Sequence, residues 1–108
     1  EDSEQGFSHM LKRLTREPAK FFGLNVGGLE VGDRADFALL DPQRLASYDG
    51  EASVQYTYRE AFDCHQLVNR TEGVIKGVFV GGEQIWIDGH STPALGQRCL
   101  GKALRAAP

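Results

Sequence analysis

Gly73-Val-Ile-Lys-Gly-Val-Phe-Val-Gly-Gly-Glu-Gln-Ile-Trp-Ile-Asp-Gly89 is the stretch that decides the fold of this chain. Val74 to Val80 is rich in β-branched and aromatic residues, which suit a pleated, half-buried surface. Gly81-Gly82 supplies the positive φ angles of a two-residue hairpin turn. Gln84 to Asp88 then returns as a second strand. With Val80 opposite Glu83, Val78 faces Ile85, Lys76 faces Ile87 and Gly77 faces Trp86. Val78, Val80, Ile85 and Ile87 then share one face, the expected core side. On the other face the Trp86 ring is expected to lie over the bare backbone of Gly77. Nothing in the hairpin carries out chemistry.

Upstream, Phe7, Met10, Leu11 and Leu14 fall at i, i+3, i+4 and i+7 and predict an amphipathic helix over 4–15 with that stripe in the core. Asp2 or Ser3 is placed to cap it, and Asp2 with Gln5 has the capping-box spacing. Pro18 forces a break, Thr15 is an N-cap candidate, and a short helix over 16–22 ends at Gly23. Phe21, Phe22 and Leu24 follow as a hydrophobic plug. Residues 27–33 form a tight connection. A strand over 35–41 has the apolar run Phe37-Ala38-Leu39-Leu40, expected to be covered on both faces, and Pro42 ends it.

A helical turn is expected at Gln43 to Ala46. Residues 52–58 alternate, with Val54, Tyr56 and Tyr58 on one side. Residues 59–72 carry no clear pattern; Phe62, Leu67 and Val68 are their expected anchors. Arg70 to Gly73 turns the chain into the hairpin. Beyond it, His90 to Pro93 reads as loop, Ala94 to Gly96 as a turn, and Cys99 to Ala106 as a short terminal helix.

At 108 residues the chain has the length of one domain with a real core. It is 41% hydrophobic and 25% charged, the make-up of a soluble globular protein. Its net charge of −3, without a basic run, argues against a nucleic-acid partner. No apolar run reaches the roughly 18–20 residues of a membrane span, so no membrane partner is expected. Cys64 and Cys99 stand alone, without a spaced motif, which suggests reduced thiols and a cytoplasmic location. The chain opens without Met ahead of a helix; a piece of a longer polypeptide presents itself this way, and so does a processed or trimmed one.

The candidate chemistry is thin. His9, His65 and His90 form no HxH or HExxH pattern. Asp63 and His65 share a face of an extended segment and would need a distant third ligand such as His90 to hold a metal. The simpler reading is surface polar residues beside a buried thiol at Cys64. Neither cysteine shows the partner base that a nucleophile needs. Gly27-Gly28 and Gly81-Gly82 lack the lysine of a P-loop and the spacing of a dinucleotide fingerprint, and read as turns. No catalytic, cofactor-binding or metal-ligating residue is assigned.

The ordered set Leu14-Thr15-Arg16-Glu17-Pro18-Ala19, Phe22-Gly23-Leu24 and Gly28-Leu29-Glu30-Val31-Gly32-Asp33-Arg34-Ala35-Asp36-Phe37-Ala38-Leu39-Leu40-Asp41-Pro42 resembles the closing segment of the amidohydrolase superfamily. The hairpin from Val74 to Ile85 matches the same pattern, and the likeness spans roughly residues 7–90. Gly32-x-x-Ala35-Asp36 is its most specific part. Asn69 to Gly73 ahead of the hairpin looks most like N-acyl-D-amino-acid deacylases.

The resemblance implies an α+β, mainly β fold: the last helix of a barrel over 1–24, then part of a small β-sandwich over 25–108, with the catalytic TIM barrel absent. It implies zinc or another divalent metal in that barrel, activating water against an amide or related C–N bond. Asp2 is too close to the final helix to serve as the metal aspartate. The leading expectation is a non-catalytic structural portion of a metal-dependent amidohydrolase, partnered by the rest of its own chain or by a homo-oligomer. The alternatives are a free-standing protein-interaction module and a small enzyme in its own right.

Overall fold

The structure, a computed structural model, describes residues 2–70 and 73–106. Thr71 and Glu72 of the expected turn at Arg70–Gly73 lie outside the described residues, as do the side chains of Asp2 and Ser3 expected to cap the first helix. Helix α1 runs Asp2–Leu14 and helix α2 Arg16–Phe21. The break falls at Thr15, but Thr15 does not cap α2. Its hydroxyl donates back to the Leu11 carbonyl at 2.7 Å, so the side chain closes the first helix instead of opening the second. The end of α2 follows expectation. Gly23 is left-handed at φ 66°, its N–H donates to Lys20, and the Leu24 N–H donates to Ala19 at 2.8 Å. Those two bonds make a Schellman stop.

Four antiparallel strands form the sheet, in the order β1 (Phe37–Leu40), β4 (Ile75–Val80), β5 (Glu83–Ile87) and β6 (His90–Ser91). A separate ribbon pairs β2 (Val54–Arg59) with β3 (Cys64–Asn69) through a 3₁₀ turn at Glu60–Phe62. The fold is thus α+β, and no TIM barrel is present among the described residues. The patternless stretch 59–72 contains β3, and His90–Ser91, expected as loop, pairs with Ile87 and Trp86. Helix α3 (Pro42–Ala46) has a cap that the sequence reading missed. Asp41 accepts from the Gln43 and Arg44 N–H groups at 3.0 Å each, with Pro42 in the first turn.

The β4–β5 register departs from the simple alternation. Val80 pairs with Glu83 as expected and Phe79 with Gln84, but Val78 then pairs with Trp86 and Gly77 with Ile87. Ile85 is the extra residue of a bulge, and one extra residue reverses the facing of all that follow. Val78 and Trp86 therefore share a face, while Ile87 joins Gly77 and Phe79 on the other. Phe79 stacks on Phe37 of β1 at 4.6 Å. The side chains of Gln84, Phe79 and Leu39, not Trp86, lie over Gly77.

Few side chains are buried. Ala19 and Val74 are the buried hydrophobic residues among those described. The α1 stripe expected in the core is open, from Leu11 at 38% to Leu14 at 70% exposure. Leu39 and Leu40 of the supposedly two-sided strand are exposed, as are Phe21 and Phe22 of the expected plug and the anchors Phe62 and Leu67. These side chains stand on helix, sheet and ribbon surfaces that the other described elements leave largely uncovered. Residues 99–106 adopt no regular structure in place of the expected helix. A helix that short is unfavourable alone, and Gly101 sits inside it.

Gly81 and Gly82 turn at φ 59° and 81°. Gly82→Val places a β-branched residue in that region and is expected to lose roughly 1–2 kcal/mol. Gly6→Ala, in the open interior of α1 where nothing lies within 4 Å, is expected to gain up to about 1 kcal/mol. Denaturant melts of the two variants against the parent chain check both.

Candidate functional site

The residues singled out for chemistry do not converge. Asp63 stands in the left-handed region at φ 49°, closing the 3₁₀ turn, and accepts a bond from the Tyr58 hydroxyl. That bond, with some burial, pushes the Tyr58 phenol above its ordinary value. His65 lies on the ribbon's aromatic face, stacked on Tyr56 at 4.9 Å and edge-on to Tyr58 at 5.2 Å. His90 belongs to the other sheet, its Nδ1 3.1 Å from the Asp88 carbonyl. His9 is exposed on α1. Cys64, expected to be buried, is exposed like Cys99, and both thiols are free. Among the described residues no three His, Cys, Asp or Glu side chains gather as metal ligands. Among the described residues no set of side chains fits a divalent metal of the kind the resemblance implies.

What the structure does assemble is a bracket at residues 27–36. Asp33 accepts from the Glu30 N–H at 3.0 Å, and the Arg16 guanidinium of α2 approaches the same oxygen at 3.4 Å. Gly28 lies directly beneath this pair, where any Cβ would collide with the Asp33 carboxylate and the Arg16 guanidinium. Three residues on, Asp36 faces the sheet. Its Oδ1 accepts from the Gly81 N–H at 2.7 Å, and the Ala35 carbonyl accepts from the Gly82 N–H at 2.9 Å. Arg34 pairs with the second Asp36 oxygen and donates through Nη2 to the Leu100 carbonyl at 3.0 Å. One short loop thus ties α2, the β4–β5 turn and the C-terminal tail together.

An open cleft of about 750 Å³ lies on the Trp86 face of the sheet. Trp86, Val78, Ile75 and Leu95 supply apolar walls, and Arg70 and Lys76 lie at its border. Lys76 is paired with Asp88 at 3.2 Å. Among the described residues the cleft holds no nucleophile placed against a base.

The model described as the amidohydrolase family matches residues 4–85, from α1 through the bracket to the bulge residue Ile85. The chain belongs to the amidohydrolase family. It is 38% identical over 79 residues to an uncharacterized protein of Mycobacterium bovis and to two uncharacterized proteins of Mycobacterium tuberculosis strains. The alignment covers 72% of this chain but 13% of each relative. No solved structure matches. No helix among the described residues is long and apolar enough to cross a membrane.

The Asp41 carboxyl is held below its ordinary value of 3.8, first by the Arg44 N–H and then by the Gln43 N–H and nearby cations, against some desolvation. A carboxyl depressed on folding adds stability that is present above its unfolded pKa and is lost as pH falls through the folded one. In a carboxyl-resolved NMR titration, Asp41 is expected to titrate below 3.8, with the Gln43 and Arg44 amide shifts following the same curve. Titration at or above that value removes the cap from this account.

Proposed function

We propose that this chain is the non-catalytic structural C-terminal portion of a metal-dependent amidohydrolase. Within that reading, 1–24 is the final helical segment and 25–108 is part of a small β-sandwich. The parent reaction is hydrolysis of a non-peptide C–N or amide bond, with N-acyl-amino-acid deacylation as its specific form. The free, exposed thiols support a reducing compartment such as the cytoplasm.

One observation carries the structural role. The chain exposes 8981 Å², whereas a compact monomer of this length exposes about 6,000 Å². Its radius of gyration is 16.3 Å against about 13 Å for a compact domain. The excess, roughly 3,000 Å², is several times the ~800 Å² per partner of a standard protein interface. A second copy docked through one ordinary patch leaves most of it uncovered. A large body reaching α1, both faces of the sheet and the ribbon at once suits it, and the remainder of an amidohydrolase is such a body.

Sedimentation velocity on the chain alone at micromolar concentration is expected to show association, and thermal unfolding a broad, weakly cooperative transition. A clean, stable monomer with a sharp transition sinks the reading. Incubation with zinc and an N-acyl-amino acid is expected to give no turnover, and robust hydrolysis would overturn the non-catalytic assignment.

A further inference from the structure

Beyond β5 the chain reverses at Asp88 and Gly89 and runs back along the outer side of that strand. His90 and Ser91 pair with Ile87 and Trp86. Thr92 continues the contact, its N–H donating to the Ile85 carbonyl at 2.9 Å and its hydroxyl to the Gln84 carbonyl at 2.6 Å. Leu95 borders the cleft that also contains Trp86 and Ile85. Arg98 pairs with Glu83 at the start of β5. The Leu100 carbonyl then receives Arg34, beside Gly81 in the turn. The tail therefore has a partner along the whole of β5, from Ile87 back to Glu83.

We propose that residues 90–100 are a strap that closes the outer edge of β5, with Arg34 on the Leu100 carbonyl as its latch. An open strand edge is a template for pairing with another chain, so a cover along its length has a physical purpose. Past Ser91 the strap is built of turns and irregular chain and has no ladder of its own. Its far end depends on two arginines. Arg98 is exposed, and its ion pair contributes little. Arg34 is mostly buried, oriented by Asp36, and makes a charge-assisted bond to a carbonyl. The latch is thus set by the same carboxylate that holds the Gly81 N–H, so the turn and the tail are fastened together.

The experiment uses the 108-residue chain and two reporters. Trp86 is the only tryptophan, lies opposite Ser91 and shares the cleft with Leu95, so acrylamide quenching of its fluorescence reads strap opening. Trypsin cleavage after Arg98 reads release of the strap's end. Arg34→Ala is expected to speed that cleavage about tenfold, the factor given by loss of a charge-assisted bond when cleavage follows the open population. Trp86 quenching is expected to rise with it. Arg16→Ala, on the α2 side of the bracket, is expected to leave both readouts at parental values. Removal of residues 98–108, which leaves Arg34 and Asp36 intact, is expected to raise Trp86 quenching as Arg34→Ala does. Parental readouts in Arg34→Ala, an equal rise in Arg16→Ala, or unchanged quenching in the truncated chain each overturn the strap.

Discussion

The Gly81 N–H donates to Asp36 at 2.7 Å and the Gly82 N–H to the Ala35 carbonyl at 2.9 Å, so the β4–β5 turn is gripped from outside its own hairpin. An isolated two-stranded hairpin is marginal in water. The grip adds β1 as a third strand and fixes its register, since Phe37 can stack on Phe79 only when Asp36 has reached the turn. From the same loop Asp33 reaches back to Arg16, so helices and sheet meet at residues 28–36. The individual ion pair is exposed and contributes little. The backbone bonds made by Asp36 and Ala35 have a direct structural effect, because they determine where the strand lies.

That frame is a scaffold of layers without opposite layers. Helix α1 shows an apolar stripe, the sheet has apolar residues on both faces, and the β2–β3 ribbon presents Tyr56, Tyr58 and Leu67 on one side. The strands pair with their neighbours while many of their large apolar side chains stay exposed. Burial of apolar area is the main favourable term in folding, at about 25 cal/mol per Å². A chain that leaves this much surface open lacks most of that term. The proposal that a larger body completes it follows from the thermodynamics before any appeal to family.

The sequence pattern revealed the elements whose signals are local. Gly81-Gly82 between β-branched runs marks the hairpin, Pro18 in its first turn and Gly23 just past its end mark α2, and Asp41-Pro42 ends β1. It concealed whatever depends on a distant partner. The bulge at Ile85 defeats an alternation that places Ile85 and Ile87 together. Strand β3, Cys-His-Gln-Leu-Val-Asn, has no clear period and is a strand because β2 lies beside it. Thr15 had two local acceptor and donor choices, and composition does not tell a cap from a back-bond to Leu11. The exposed α1 stripe shows the same limit: periodicity identifies the face that seeks a partner but not whether one is there.

The family pattern in this chain falls on residues that fix its local fold. Ala35 and Asp36 belong to the most specific part of that pattern, and both are engaged with the backbone of the β4–β5 turn. Residues that fix geometry in this way make a legible signature because the turn, the strand and the tail all constrain them. The histidines and cysteines, free of such constraints, lie scattered over α1, the ribbon, β6 and the tail. The features that make the family recognisable are therefore ones that hold this segment's own loop, turn and strand together.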